Sequence, residues 1–449
     1  MRRQAAMTEL CLREFGLLLP GQRSVNSTDV CGLASEEAWN FFEGLALSDA
    51  KEDRYIDVAR FEGKKALRVK NFVGVISAPD GTQVEILPKT SDGAQDLKGT
   101  RILLWKMLTA VENLPFIETT DAHLKLQSGP LIEALIAIFL AHVAALVRRG
   151  IRRDYERVEA EERFLRGRLR VQQQMQAPPG RQHMFHVEYD IFSENRAENR
   201  LLHSALEKVA RTSKTAQNQR LARELRHGLE LVPLSSDYAA DFAKWRVSRD
   251  MVHYQPLLPW LRLILNQECP HALKDVHAGI SFLFPMEKLF EKYVEQSLRR
   301  SLRVSGIAVQ GQARSHFLSI APNAFQLKPD LLLSRDRIWI GVADAKWKLI
   351  DERATYDNGD EDPKAGIKQA DVYQLFAYGH KYLEGKGRLV LIYPKWAKFT
   401  ASLTFDLGSG MVLDVVPFDL ANDACPLIAL FDGDRTKAAQ NVHVLLRSV

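Results

Sequence analysis

Residues 328–348 read KPDLLLSRDRIWIGVADAKWK. Asp330 stands before one apolar run, and Asp344 and Lys346 stand at the end of the next. Charge placed beside apolar strands is unfavourable unless something compensates it. The stretch SRDR at 334–337 can turn the chain between the two runs. An antiparallel hairpin then returns Asp330 to the neighbourhood of Asp344. Strand side chains alternate with a period of two, so Ile338, Ile340, Val342, Asp344, Lys346 and Lys348 share a face. Two carboxylates on neighbouring strands with a lysine beside them are the parts of a metal-dependent phosphodiesterase. Asp330 and Asp344 offer hard oxygen ligands to Mg²⁺, and the Ala345 carbonyl offers another. Lys346 can orient or help deprotonate a water, or stabilise a charged transition state. The competing reading is an edge strand that ends in a surface salt bridge.

The flanking segments bear on that choice. PMEKLFEKYVEQSLRRSLRV (285–304) has a helical period, with Met286, Leu289, Phe290, Tyr293, Val294 and Leu298 on one face. Its other side carries Glu287, Glu291 and Glu295 in a line, of which Glu295 reads as part of a solvated stripe. A helical glutamate near the strand carboxylates can complete a metal site. Strands are expected around 307–321, 325–334 and 337–347, then a helix over KQADVYQLFAYGHKYLEG and a strand over RLVLIYPKW. Gln374 and Tyr378 fall one turn apart on that helix. Together these make a compact α/β unit with a mixed sheet.

Across the 449 residues, the expected fold is multidomain α+β. Residues 1–125 read as a β-rich domain with one or two helices, 126–279 as a helical middle and 280–449 as the α/β unit. NFVGVISAPDGTQVEILPK (71–89) has two β-type runs around the turn Pro79-Asp80-Gly81. It also contains a near copy of the candidate motif, Asp80 followed by Glu85 and Lys89, which Pro88 interrupts; this copy reads as structural. PLIEALIAIFLAHVAALVRR (130–149) is the most apolar segment, but Glu133 and His142 lie within it, so it reads as a buried helix and no membrane span is expected. Residues 148–170 hold nine arginines against five acids, either a solvated face or a phosphate-tracking surface. A formal net charge of +5 permits nucleic acid as a partner without demanding it. Four scattered cysteines with no CxxC pair argue against a disulfide framework or zinc ribbon and for a reducing, cytoplasmic setting. No phosphate-binding P-loop is present: Gly379 to Gly387 has the wrong spacing and lacks the Ser/Thr. The acidic loop DNGDED (357–362) lacks EF-hand spacing.

The order helix-Glu, Pro-Asp, Asp-x-Lys, Gln-x-x-x-Tyr resembles the PD-(D/E)xK nuclease superfamily in its RecB-like branch. That resemblance implies a central mixed sheet flanked by helices. It implies metal ligation by Asp330 and Asp344, with Glu291 as the helical glutamate and Glu287 as the fallback. It further implies a catalytic role for Lys346 and phosphate positioning by Gln374 and Tyr378. The stretches 71–89, SENRAENRLLHSALEKV (193–209), PMEKLFEKYV (285–294) and KPD…DAKWK look, in this order, like the McrC family. The resemblance implies a nuclease subunit of a modification-dependent restriction system, active on double-stranded DNA bearing modified cytosine. It implies a partner AAA+ GTPase of the McrB type, which would bind the GTP. A stand-alone RecB-like repair nuclease and a non-catalytic activator of an AAA+ ring remain as alternatives. For residues 71–89, a hairpin that docks on the partner and an ordinary strand pair stand side by side.

Overall fold

The computed structural model describes residues 9–21, 29–47, 54–89, 97–111, 130–181, 183–245, 249–265, 280–353, 364–408, 410–427 and 429–431. The acidic loop 357–362 and Cys269 lie outside them. The chain groups into two compact units. One comprises Met1–Glu9, Val75–Gln83 and Pro115–Phe282; the other comprises Leu10–Gly74, Val84–Leu114 and Leu283–Val449.

In the first unit the long apolar helix forms as expected, Leu131–Arg149, and Gly150 ends it at φ 94°. By length and composition it could cross a membrane, but most of it is buried in the protein. Its Glu133 explains why it sits there. The carboxylate accepts hydrogen bonds from Ser213 Oγ (2.8 Å), Lys214 N (2.5 Å), Thr215 Oγ1 (2.9 Å) and Asn218 Nδ2 (2.8 Å). These donors gather at the start of helix Ala216–His227, whose first N–H groups lack partners within the helix. Glu133→Ala removes the acceptor shared by these donors, of which Ser213 and Asn218 are buried. It is expected to cost about 2–3 kcal/mol, read as a lower urea midpoint with unchanged slope.

The helical middle expected from sequence holds a sheet as well. Asp154–Glu162 and Phe185–Ser193 pair antiparallel over nine residues, and Arg168–Leu169 joins as a third strand. The ribbon was hidden because DYERVEAEE is polar on both faces and offers no apolar alternation. Charge pairing replaces it. Arg157 reaches Glu188 and Asp190 at 3.4 Å, Arg181 reaches Glu161 at 3.2 Å, and Arg153, Arg170 and Arg196 pair with Glu194, Glu159 and Asp154. Within the arginine run, Arg153, Arg157 and Arg170 are thus paired with acids of the ribbon. At the base of the ribbon, Asn199 Nδ2 donates to the carbonyls of Arg152 (2.8 Å) and Glu194 (2.9 Å), and its Oδ1 accepts from the Tyr254 hydroxyl (2.7 Å).

The second unit carries a six-stranded mixed sheet. Its order is Ile307–Gly311, Leu331–Arg335, Ile338–Ala345, Gly387–Pro394, Met411–Phe418, Leu403–Asp406. The first three strands run antiparallel, the third to fifth run parallel, and the last is antiparallel. Helix Gln369–Tyr382 makes the crossover between the parallel strands Ile338–Ala345 and Gly387–Pro394. Gly379 allows this packing, because a Cβ there would lie 2.7 Å from Leu389. The strands expected over 307–321 and 325–334 are each divided. The first leaves the sheet at Gly311, where Gln312 takes φ 45° and donates to the Asp330 carbonyl at 2.9 Å. Phe317–Ile320 and Asn323–Gln326 then pair in a separate ribbon. Helix Met286–Arg303 buries all six residues assigned to its apolar face.

The near copy of the motif is structural, as read. Asp80 accepts from Thr82 N and Oγ1, both at 2.9 Å, and closes the turn between Phe72–Ser77 and Gln83–Leu87. In the second unit, Glu85 is gripped by Arg101 through three contacts of 2.5–3.1 Å. The glycines from Gly379 onward close a helix end, with Gly385 N donating to the Gly379 carbonyl at 3.2 Å.

Candidate active site

The hairpin forms where the sequence placed it. Asp336 and Arg337 both adopt left-handed conformations, φ 51° and 67°, the backbone of a tight two-residue turn. A bulge follows Leu333, so the face of residues 338–340 is out of phase with that of 341–345. The single face expected for 338–348 therefore holds only for its second half. In that half, Leu331 lies opposite Ala343, which places Asp330 at the level of Asp344. Asp330 Oδ2 accepts the Ala345 N–H at 3.0 Å.

Asp344 is buried at 2% exposure. Lys346 Nζ lies 2.7 Å from its Oδ2, yet that oxygen receives no directed hydrogen bond, so the contact is ionic. Charge at the end of the apolar run is thus compensated by the lysine two residues on. Burial alone would lower the Lys346 pKa. The Asp344 charge and contact, then Asp330 and Asp371, outweigh it and push it up to about 12. The neighbouring carboxylates thus favour the cationic form of Lys346.

Glu291 faces the same cluster. Burial pushes its pKa up to about 6; Lys346 opposes the rise, and Asp344 and Glu287 add to it. Asp330 is raised well above the ordinary carboxylate range by burial, then by the charges of Asp344 and Glu291. Three carboxyls repelling one another around one ammonium are poised for a further cation. Glu287 is exposed, whereas Glu295 pairs with Arg299 at 2.6 Å and is half-buried, not part of a solvated stripe. On the crossover helix, Gln374 Nε2 donates to the Tyr378 hydroxyl at 2.7 Å, and that hydroxyl donates to the Lys328 carbonyl at 3.3 Å. Burial raises the Tyr378 pKa, and Asp344 and Asp330 raise it further, so Tyr378 stands within their field. Among the described residues no three His, Cys, Asp or Glu side chains form a metal cage by themselves. Any cation here would rely on two carboxylates, backbone oxygen and water.

Sequence reasoning missed three contributors. Asp371, in the first turn of the crossover helix, acts on Lys346, Lys348 and Tyr393. An acid there reads simply as a favourable helix start, which masked it. Trp347 and Glu14 are the others. Glu14 is 1% exposed, and its Oε1 accepts from Trp347 Nε1 and Lys89 N, both at 2.7 Å. Burial pushes its pKa from 4.5 up to about 7. The unfolded chain releases this proton near 4.5 and the folded chain near 7, so between them the folded chain binds more protons. The stability is intact below pH 4.5, falls by roughly 3 kcal/mol as pH rises from 4.5 to 7, and levels off above that. Glu14→Gln is expected to flatten that slope in unfolding titrations from pH 5 to 8. An unchanged slope would count against the assignment.

The model of the McrBC 5-methylcytosine restriction system component family matches residues 67–394. One chain of a half-complex from the tetradecameric assembly of Thermococcus gammatolerans McrB AAA+ hexamers with bound McrC is similar in fold. It has a TM-score of 0.64 and 18% identity, covering 92% of this chain and 95% of that one. A chain of the Thermococcus gammatolerans McrBC complex aligns with a TM-score of 0.48 and 20% identity, over 66% and 88% of the two chains. No curated protein matches.

Proposed function

Because the chain belongs to the family of McrBC 5-methylcytosine restriction system components, we propose that it is the McrC-type endonuclease subunit, hydrolysing phosphodiester bonds of modified-cytosine DNA. The observation that carries this reading is the cluster of buried Asp344 with half-buried Asp330 and Lys346, where the carboxyl end of strand Ile338–Ala345 meets its parallel neighbour. Ligand chemistry in open α/β sheets concentrates at such strand ends.

The residues fit Mg²⁺. Asp344 Oδ2 is buried with only an ionic partner, and the donor set is all hard oxygen. Asp330, Asp344 and the Ala345 carbonyl would hold the ion, with Glu291 beside them; when bound, it supplies a Lewis acid for phosphate and water. Lys346 places its ammonium where negative charge grows on the phosphate. It can orient the attacking water or help deprotonate it once the carboxylates that hold it as a cation are taken up by the ion. Gln374, exposed and held by Tyr378, presents its amide for positioning the DNA backbone.

The similar assembly contains McrB AAA+ hexamers with bound McrC. We take a McrB-type GTPase ring as the partner of this chain too, with GTP bound there, the 1–125 segment as the partner-binding region, and the cytoplasm as the setting. The test is cleavage of a plasmid carrying methylated cytosines, with Mg²⁺, by the chain alone and with the neighbouring AAA+ protein plus GTP. Cutting only with partner and GTP supports the reading. Cutting by the chain alone, whatever the methylation, would make it a stand-alone nuclease. GTPase stimulation without cleavage would make it a non-catalytic activator.

A further inference from the structure

Glu14 lies 333 positions before Trp347, yet the two are joined by a 2.7 Å hydrogen bond. The carboxyl is held from its own side of the contact. Its N–H donates to the Leu87 carbonyl at 2.9 Å, continuing the strand Glu9–Arg13, and the next residue, Phe15, turns away in a left-handed conformation at φ 63°. One carboxylate oxygen, Oε1, takes both the indole N–H and the Lys89 N–H; the other, Oε2, is buried and accepts no hydrogen bond. Burying a half-satisfied carboxyl is costly, and an apolar residue of similar volume would avoid that cost. The indole it holds therefore merits a functional account.

Trp347 touches both elements that carry the site. It directly follows Lys346, whose own N–H is tied to the Ile392 carbonyl at 2.9 Å. Its ring packs on Phe290, with centroids 5.3 Å apart, and Phe290 immediately precedes Glu291. An indole has two side-chain torsions. Packing on Phe290 leaves it free to slide in the ring plane, and the N–H bond to Glu14 removes that freedom.

We propose that Glu14 is a positioning residue of the nuclease site, fixing Trp347 and through it Lys346 and Glu291. The inference rests on the nuclease reading above and deepens it. Residues near the start of the chain complete a site whose chemical groups all lie after residue 290. The segment 280–449 alone carries the reacting groups without their brace.

The test uses the full-length chain with its AAA+ partner, GTP, Mg²⁺ and methylated plasmid. Glu14→Gln keeps an oxygen acceptor at the same place, Glu14→Leu removes it, and Trp347→Phe keeps the packing but removes the donor. Displacement of a catalytic group by a fraction of an ångström to 1 Å lowers turnover about 10- to 100-fold. Glu14→Leu and Trp347→Phe are expected to lose that much kcat with little change in half-saturating DNA. GTPase stimulation should be retained in Trp347→Phe, which lies outside the proposed partner-binding region, and Glu14→Gln should stay within about twofold of wild type in turnover. Amide exchange at residues 346–348 should quicken in Glu14→Leu and Trp347→Phe only. Wild-type turnover in Trp347→Phe, or loss in Glu14→Gln equal to that in Glu14→Leu, overturns the proposal. If Glu14→Leu fails to fold, as loss of a cooperative thermal melt would reveal, Trp347→Phe decides. Asp344→Asn runs beside them; cleavage surviving in that control would overturn the site assignment itself, and the positioning role with it.

Discussion

Asparagine at position 344 is expected to reduce DNA cleavage by at least about 10³-fold while leaving the metal-free protein as stable as wild type or more so. Both halves follow from one arrangement. Asp344 is the buried carboxylate that Lys346 neutralises, and it raises the proton affinity of Asp330 and Glu291. Removing its charge takes away a ligand for the cation and a repulsion at the same time. Lys346 is partly exposed, so it is not stranded by the change. Metal linkage separates the two effects. Ligand bound only to the folded state raises its stability by mass action. Mg²⁺ should therefore raise the melting temperature of wild type and not that of Asp344→Asn. The carboxyls must be ionised to bind the ion. With Asp330 and Glu291 both raised, the Mg²⁺-induced shift should be largest at alkaline pH and fade as pH falls and these carboxyls take up protons. Plasmid cleavage and thermal melts with and without Mg²⁺ check these outcomes. Cleavage by Asp344→Asn within tenfold of wild type would mean that the reacting groups lie elsewhere.

Asp414→Ala should do the reverse, costing about 3–5 kcal/mol of stability, the range for breaking a buried pair from one side. Asp414 is fully buried in strand Met411–Phe418. Its Oδ2 takes Arg388 Nη1 at 2.6 Å, and its Oδ1 takes Thr404 Oγ1 at 2.9 Å from the residue directly opposite on the edge strand. Alanine leaves Arg388, itself mostly buried, facing an empty site beside an apolar core. Denaturant unfolding measures the loss, and a change under 1 kcal/mol would refute it. Arg388 and Thr404 lie on the two strands flanking that of Asp414, so the damage is to the sheet rather than to the candidate chemistry.

These two aspartates show how far sequence reading reaches. GVADAKW and MVLDVVPF each place one acid in an apolar strand. The first has its cation two residues away, within the reach of a period-two argument, and its partner Asp330 is brought back by a short hairpin. Both relations were legible because they are local. Asp414 has its cation 26 residues earlier on a parallel neighbour, and nothing in its own strand announces that. The polar ribbon 154–193 was missed for a related reason. Its first strand, DYERVEAEE, carries too few apolar residues to announce a period of two, and the partner strand FHVEYDIFS, which does alternate, lies far along the chain.

By itself, then, the sequence determined the helices on either side of the candidate site, the hairpin joining Asp330 to Asp344, the one-turn pairing of Gln374 with Tyr378, and the structural nature of Asp80 and Glu85. All of these depend on periodicity, turn chemistry or spacing along a single element. Only the tertiary structure decided that residues 10–74 and 84–114 share a compact unit with 283–449, that Glu14 grips Trp347, and that Asp371 stands in the field of Lys346. Those relations depend on which surfaces meet when apolar faces are buried. A buried carboxyl finds its partner through that packing, at chain separations over which local pattern carries no information.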